Sequence, residues 1–299
     1  MMQVLPITPR GYCPGVVKAI DIVNKAIENP TLPRPIYILG MIVHNRFVVD
    51  DFTQKGVITL NETGKTRLEL LDYVKEGTVI ITAHGTEDAV FQKIKDKGLT
   101  LINATCKDVQ KTHDLIKGYL EKKYDILFIG KNHHPETEGA LGIDPKIQLI
   151  ESLEDVLKLS SSDHPIFVTN QTTLSIRDLD KIFALIQTKF PHAVISDEIC
   201  NSTRIRQEAV LKSNNNIDLC FVVGDPFSHN TASLVKLSKT FTNAITYPIE
   251  SVDDIRPEQL LGYKTVSVTS GASTPTLITS RVIEYLKQFD ETDKSTWVK

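Results

Sequence analysis

The chain has 299 residues and a formal net charge of −3, with 41 % hydrophobic and 24 % charged residues. This length allows two or three hydrophobic cores of about 100 residues each, and the composition is ordinary for a folded globular protein. A slightly negative charge argues against nucleic acid as a main partner.

The predicted elements give no sign of a membrane partner or an export signal. Apolar stretches stay below the roughly 18 residues of a membrane span, and the N-terminus lacks a basic start followed by an apolar stretch. The four cysteines are widely separated, which favours a reducing compartment and thiols rather than disulfides. We therefore expect a cytoplasmic protein.

The first predicted strand, Val4-Leu5-Pro6-Ile7, leads to Cys13 and then to a helical pattern of apolar residues. Cys106 and Cys200 follow apolar runs in the same way and also precede helical patterns. The intervals between these cysteines are 93 and 94 residues. A thiolate at a strand-to-helix turn lies near unpaired backbone N–H groups, which suits it to bind a metal or attack an electrophile.

Two further signals recur in each third of the chain. Apolar strands end at Gly40, Gly130 and Gly224, and His44, His134 and Ser228 follow each glycine by four residues. Other strands run into hydroxyl-rich turns, in the stretches 79–86, 166–173 and 266–274.

Strands that alternate with helices predict an α/β fold with mostly parallel sheets, whose ligands bind at the carboxyl ends of the strands. The repeats predict three similar α/β domains with their loops directed at one central cavity. We place these domains at residues 1–105, 106–199 and 200–285, followed by a C-terminal tail at 286–299.

Three cysteines are one fewer than the four that usually hold a [4Fe–4S] cluster, and one iron would stay open to a substrate oxygen. A Cys₃ or Cys₃His zinc site and three core thiols remain as alternatives. Cys220 lies inside an apolar strand and is interpreted as an inert core residue.

Histidines in the repeated loops can donate to an anion such as a phosphate or diphosphate, and neighbouring hydroxyl and amide groups can add to them. The alternative for each is an ordinary surface, core or turn role. The predicted anion-binding residues are His44, His84, His134, Ser228, Asn230 and Ser273.

Glu136 is the one carboxylate in a repeated loop, where it could keep its proton and act as a general acid or simply face solvent. Thr172 could relay a proton or fix a substrate hydroxyl. The other histidines, at positions 113, 133, 164 and 192, are predicted to lie on solvated faces.

Together these motifs resemble the 4-hydroxy-3-methylbut-2-enyl diphosphate reductase family of the non-mevalonate isoprenoid pathway. The matching stretches follow one another in order along nearly the whole chain: Arg10-Gly-Tyr-Cys13-Pro-Gly-Val, Ile42-Val-His44-Asn-Arg46, Thr82-Ala-His84-Gly85, Asn103-Ala-Thr-Cys106, His134-Pro-Glu136-Thr-Glu138-Gly139, Gln171-Thr172-Thr173-Leu-Ser175, Ile199-Cys200, Arg206-Gln-Glu-Ala-Val210, Val223-Gly224-Asp-Pro226 and Gly271-Ala-Ser273-Thr-Pro275.

The resemblance implies a pseudo-threefold trefoil around a [4Fe–4S] cluster held by Cys13, Cys106 and Cys200. It implies that the substrate hydroxyl binds the open iron and that Glu136, with Thr172, supplies the proton that expels it. Isopentenyl and dimethylallyl diphosphate are the implied products, and reduced ferredoxin or flavodoxin is the implied electron donor.

The same resemblance assigns the diphosphate to the predicted anion-binding residues, with His134 nearer the reacting end. Family members usually carry a polar Ser-Ser-Asn run where this chain has Ser228-His229-Asn230, and we keep His229 as a ligand. Thr231-Ala232-Ser233-Leu234 replaces the usual Ser-Asn-Arg-Leu, so the arginine of that pattern is absent.

Two other functions fit the three cysteines. A non-redox Fe–S enzyme, either dehydratase-like or similar to quinolinate synthase, would convert its substrate without an electron donor. An Fe–S or zinc sensor would bind metal without turnover and would act on a macromolecular partner.

Overall fold

The computed structural model describes residues 2–160 and 164–299. Its strands are β1 (Gln3–Pro6), β2 (Ile36–Leu39), β3 (Ile58–Leu60), β4 (Thr78–Ile81), β5 (Thr100–Asn103), β6 (Asp125–Ile129), β7 (Gln148–Ile150), β8 (Ile166–Asn170), β9 (Val194–Ile195), β10 (Leu219–Val223), β11 (Ile245–Ile249) and β12 (Thr265–Ser270). Its α-helices are α1 (Pro14–Glu28), α2 (Arg46–Gln54), α3 (Arg67–Leu70), α4 (Asp88–Asp96), α5 (Lys107–Glu121), α6 (Pro135–Leu141), α7 (Leu153–Lys158), α8 (Ile176–Lys189), α9 (Asn201–Ser213), α10 (His229–Phe241) and α11 (Thr276–Gln288).

Two compact units make up the chain. Unit 1 comprises Met1–Pro14, His44–Phe47 and Asn201–Lys299, and unit 2 comprises Gly15–Val43 and Val48–Cys200. Unit 1 contains one four-stranded sheet in the order β1-β12-β10-β11. Unit 2 contains two four-stranded sheets, in the orders β3-β2-β4-β5 and β7-β6-β8-β9.

The three sheets share one plan, and all their strand pairs are parallel. In each, a short edge strand pairs with the strand that ends in glycine, which pairs with the strand that enters a hydroxyl-rich turn. The strand before a cysteine forms the other edge. The predicted α/β class with three similar parallel-stranded parts is confirmed.

The edge strands β3, β7 and β11 did not stand out in the sequence. β3 and β7 have only three residues, and β11 contains Pro248, which cannot donate to a sheet ladder. They complete each sheet beside its glycine strand.

The strand before Cys13 belongs to the sheet of the C-terminal third. Residues Gln3 to Pro6 pair in register with residues 265 to 268 of β12. The domain limits at residues 105 and 199 stay a prediction, but strand pairing joins the first strand of the chain to the last.

Both faces of these sheets are covered, which explains why central strands such as β2 and β10 are continuously apolar, whereas β12 alternates valine with buried hydroxyl residues. In β6, Leu127 and Ile129 pack into one cluster with α8 residues such as Ile182, whereas Ile126 and Phe128 pack into another with α5. Burying one large apolar side chain contributes about 1.5–3 kcal/mol to the free energy of folding, and these contributions stabilise each layer.

Backbone hydrogen bonds fix the same geometry at the cysteine end of every sheet. The N–H of Cys13 donates to Ala272 O at 3.0 Å, that of Cys106 to Ala83 O at 2.9 Å, and that of Cys200 to Thr172 O at 3.1 Å. Each cysteine is thus held against the hydroxyl-rich turn of the neighbouring strand.

Glycines at strand ends let helix residues approach the sheet closely. A Cβ at Gly130 would lie 2.5 Å from Thr137 Oγ1, and a Cβ at Gly224 or Gly271 would overlap Thr231 Oγ1. Thr231 therefore fills the space where β10 and β12 end, although the residues after it depart from the usual family pattern.

No helix in residues 2–160 and 164–299 combines the length and the apolar character that a membrane crossing requires.

Candidate active site

Three of the four cysteines are half-buried, and none of the four forms a disulfide. Cys13 and Cys106 immediately precede helices α1 and α5, and Cys200 precedes α9. Within the described residues, no group of three or more His, Cys, Asp or Glu side chains is placed to hold a single metal ion.

Cys220 differs from the other three. It is fully buried in β10, and burial raises the pKa of its thiol although hydrogen bonds from Ser267 and Asn214 act in the opposite direction. Cys220 is therefore a core thiol, as its sequence context predicted.

In unit 1, the predicted anion-binding residues gather where α10 begins. Ser228 is the N-cap of α10, and its Oγ accepts a hydrogen bond from the N–H of Thr231 at 3.5 Å. Asn230 Oδ1 accepts from Thr203 Oγ1 at 3.1 Å, which leaves the Asn230 amide N–H₂ group to act as a donor. His229 is the first residue of the helix, where the backbone favours an anion.

The segment His44–Phe47 is held against this helix start. Ser273 Oγ donates to His44 O at 2.9 Å and lies 3.5 Å from Ser228 Oγ. Asp225, a buried residue, accepts from the N–H of Arg46 at 3.2 Å. Unit 1 therefore brings His44, Ser228 and Ser273 into one chain of contacts.

In unit 2, His134 is the N-cap of α6, with Pro135 at the first helical position. Its Nδ1 accepts a hydrogen bond from the N–H of Glu136 at 3.2 Å. Since Nδ1 is an acceptor, a neutral His134 carries its proton on Nε2 and can donate from there.

His84 lies beside His134. Their ring centroids are 5.8 Å apart, with an interplanar angle of 89°. His84 Nδ1 is 3.4 Å from Thr82 Oγ1, and Thr82 is itself buried. Two imidazoles are thus placed next to each other with their Nδ1 atoms directed at protein groups.

Glu136 is a buried carboxyl group held by Thr172. Its Oε1 accepts from the N–H of Thr172 at 2.6 Å, and its Oε2 accepts from Thr172 Oγ1 at 3.1 Å. Burial raises the pKa of Glu136 to about 7, and this outweighs the lowering by the two Thr172 hydrogen bonds, while Asp108 adds a smaller rise. At neutral pH a large fraction of Glu136 therefore keeps its proton.

The structure groups the predicted residues by unit. Unit 1 contains Cys13 and the set His44, Ser228, His229, Asn230 and Ser273. Unit 2 contains Cys106, Cys200 and the set His84, His134, Glu136 and Thr172.

One sequence prediction is wrong, because His113 does not lie on a solvated face. It is buried, its Nε2 has no hydrogen-bond partner among the described residues, and its ring faces Gly85 and Gly139. Burial lowers the pKa of His113 to about 4, so the ring is neutral and acts as packing behind the His84 turn. His113 follows Val109 by four residues and precedes Ile116 by three, and this helical spacing on the apolar face of α5 is the signal that could have revealed it.

Sequence reasoning also missed Asp225 and Arg67. Both are buried charged residues that bind backbone groups next to predicted site residues. Neither belongs to a repeated pattern, so spacing alone gave no signal for them.

Comparison with known proteins places this arrangement in one family of α/β proteins. The family model described as LytB protein matches residues 4–287. The chain is 49 % identical over 297 residues to 4-hydroxy-3-methylbut-2-enyl diphosphate reductase of Geobacillus sp. (strain WCH70), covering 99 % of this chain and 94 % of the relative. The reductase of Bacillus cytotoxicus is also 49 % identical, with the same coverage.

Two solved structures are similar as well. The reductase from Plasmodium falciparum has a TM-score of 0.88 and 31 % identity, covering 95 % of this chain and 87 % of that chain. A structure described as the terminal enzyme of the non-mevalonate pathway has a TM-score of 0.66 and 29 % identity, covering 97 % and 100 %.

The chain therefore belongs to the LytB protein family. The resemblance to 4-hydroxy-3-methylbut-2-enyl diphosphate reductases that its motifs indicated is confirmed, as is the expectation that the chain is an enzyme.

Proposed function

We propose that this enzyme converts 4-hydroxy-3-methylbut-2-enyl diphosphate to isopentenyl and dimethylallyl diphosphate. Two electrons and two protons enter, the allylic C–O bond breaks, water leaves, and a C–H bond forms at either end of the allylic group. The observation that carries the proposal is the buried Glu136–Thr172 pair next to His134, in a chain of this family.

Cys13, Cys106 and Cys200 are proposed as the three thiolate ligands of a [4Fe–4S] cluster. The donor set fits this cofactor, because each thiol follows a sheet-edge strand and has the same backbone hydrogen bond. A cluster with three protein ligands would supply single electrons and a Lewis-acidic iron open to the substrate hydroxyl.

The diphosphate is assigned to neutral donors rather than to a cluster of lysines. Unit 1 offers hydroxyl and amide groups at the start of α10, where the helix end favours negative charge. Unit 2 offers the neighbouring imidazoles of His84 and His134, and the Nδ1 of His134 accepts a hydrogen bond, so its Nε2–H can donate. The proposed ligands are His44, His84, His134, Ser228, His229, Asn230 and Ser273.

This assignment gives the diphosphate a positioning role. The diphosphate is remote from the C–O bond that breaks and is not changed in the reaction. The energy of binding it can therefore orient the alcohol end of the substrate.

Glu136 is proposed as the proton donor, with Thr172 as the relay. In the ionised form, Oε2 of Glu136 accepts from Thr172 Oγ1 at 3.1 Å. When Glu136 is protonated, Oε1 still accepts the N–H of Thr172, so the acid proton belongs on Oε2 and this hydrogen bond reverses, with Oε2–H donating to Oγ1. Oγ1 can accept that proton while it passes its own to the departing hydroxyl. The hydroxyl then leaves as water rather than as hydroxide.

The proposed electron donor is reduced ferredoxin or flavodoxin, because both deliver the single electrons that this reaction consumes. The proposed location is the cytoplasm, where cysteines remain reduced.

The direct test is turnover of the hydroxylated diphosphate by anaerobically reconstituted protein with a one-electron reductant. We expect both isomeric diphosphates to form only when the reductant is present. Conversion without the reductant would support a non-redox Fe–S enzyme, and iron uptake without turnover would support a sensor.

The pKa of Glu136 predicts how the rate depends on pH. A general acid acts in its protonated form, so kcat is expected to fall by about tenfold for each pH unit above about 7 and to level off below it. The measurement is kcat from pH 5.5 to 9 under excess reductant. A kcat that rises through neutral pH would contradict the assignment of Glu136 as an acid.

A further inference from the structure

Arg67, which no part of the proposed mechanism uses, is a buried arginine directed at the turn that carries His84. Its guanidinium donates through one Nη to Gly85 O and through the other Nη to Thr82 Oγ1, the latter at 2.8 Å. These two acceptors flank His84 on either side in the chain. A single side chain therefore binds the turn on both sides of His84, at Thr82 and at Gly85.

The same contact occupies one acceptor position of the Thr82 hydroxyl. Because Thr82 Oγ1 accepts from Arg67, its own proton is available to a second neighbour, and His84 Nδ1 lies 3.4 Å away. If Nδ1 accepts a hydrogen bond from this hydroxyl, the single proton of the neutral imidazole lies on Nε2. The ring then presents an N–H donor, which an anion requires.

The position of Arg67 is costly for the fold, which argues for a local role. Its side chain is 8 % exposed, and burial lowers the pKa of the guanidinium to about 10, although the carboxylates of Glu138 and Glu87 partly oppose this. The hydrogen bonds to Gly85 O and Thr82 Oγ1 oppose this cost of burial.

The guanidinium also packs beside Gly40, at the end of β2. Gly40 follows β2 with φ +89°, and a Cβ there would lie 3.4 Å from an Nη atom of Arg67. A Cβ would fit at this distance, so the positive φ rather than the space favours glycine at position 40.

We propose that Arg67 is a positioning residue that fixes the orientation and the Nε2–H tautomer of His84 for binding a phosphate group of the substrate. This inference rests on the proposed function for the identity of the ligand. The effect on His84 itself is a property of unit 2 and is measurable without substrate or cofactor.

The first test is ¹⁵N NMR of histidine-labelled protein at pH 8, comparing wild type with Arg67→Ala and Arg67→Lys. In wild type we expect the His84 signals of an Nε2–H ring. In Arg67→Ala we expect a mixture of both tautomers, because the Thr82 hydroxyl is no longer oriented. Arg67→Lys keeps the charge but loses the two-pronged geometry, so an intermediate shift is expected.

The second test separates binding from chemistry. In reconstituted enzyme, Arg67→Ala is expected to raise KM for the diphosphate substrate by about tenfold and to lower kcat by less than about threefold, as for loss of one well-placed hydrogen bond to an anion. A purely structural role would instead lower the active fraction and leave KM unchanged.

Chemical rescue provides a third readout. A cavity of about 320 Å³ lies beside Arg67, lined also by Thr66, Thr86, Glu87, Glu138 and Gly142. Truncation to alanine would extend this space, so added guanidinium ion at low millimolar concentration is expected to restore the wild-type His84 signals and lower KM. Methylammonium, which lacks the planar fork, should do so less well.

Lys93→Ala is the matched control. Lys93 Nζ donates to Leu68 O, one residue from Arg67 in the same helix, yet the turn at residues 82–85 does not depend on it. This variant should share any loss of stability of α3 while keeping the His84 tautomer and KM.

An unchanged His84 tautomer and an unchanged KM in folded Arg67→Ala would overturn the inference. If the tautomer changes but wild type does not turn over the diphosphate, the proposed function fails while the positioning role of Arg67 stands.

Discussion

Cys106→Ser protein is expected to fold and to lose the iron and sulfide that wild type takes up on anaerobic reconstitution. A serine hydroxyl stays protonated at neutral pH and binds iron far less well than a thiolate, so the cluster would lack one of only three protein ligands. Iron and sulfide analysis, together with the visible absorption of the cluster, measures the loss. We expect activity to fall below detection.

Cys220→Ser is the matched control for this experiment. Cys220 is buried among hydroxyl and amide groups, including Ser267 and Asn214, so a serine can be accommodated there. This variant should keep its iron, its sulfide and its activity. Full cluster content in Cys106→Ser would show that Cys106 is not a ligand and would remove the basis for a three-thiolate site.

Glu136→Gln should abolish turnover while leaving the cluster and substrate binding intact. Glutamine has the same shape and can still accept the N–H of Thr172, but it has no acid proton to release. We expect kcat to fall by at least about a hundredfold, in line with the usual contribution of a general acid. Substrate affinity, measured by calorimetry on reconstituted protein, should change by less than about threefold.

Stability offers an independent check on Glu136. Its pKa is raised in the folded protein, so the free energy of unfolding should decrease as pH rises from about 4.5 through about 7. Glu136→Gln should lack this part of the pH dependence, whereas Glu121→Gln, at the exposed end of α5, should retain it. Wild-type turnover by the Glu136→Gln variant would show that another group supplies the proton.

The repeating parts of the fold were predictable because they repeat in the sequence as well. Gly40, Gly130 and Gly224 end equivalent strands. A helix threonine approaches closely at Gly130 and Gly224, and the positive φ favours glycine at position 40. The pairing of strands that are far apart in the sequence could not be predicted in this way. Nothing in the residues of β1 specifies β12 as its partner, since a four-residue apolar strand could join the edge of any of the three sheets.

The candidate residues of the site stood out in the sequence, whereas the residues that support them did not. His84 and Glu136 sit in repeated loops, which marked them as candidates, and their roles stay proposals. Arg67 acts through hydrogen bonds to residues 15 and 18 positions away, and Asp225 through one 179 positions away. Such partners are selected by the folded backbone, which periodicity does not reveal.

The pairing of β1 with β12 also sets an order for assembly during synthesis. Each sheet of unit 2 is built from four strands that are consecutive in the sequence. Each can therefore form while translation of the later residues continues. In the remaining sheet, β1 cannot pair until β12 has been synthesised. The backbone N–H of Cys13, although synthesised first, therefore makes its hydrogen bond to Ala272 O after Cys106 and Cys200 are able to make theirs.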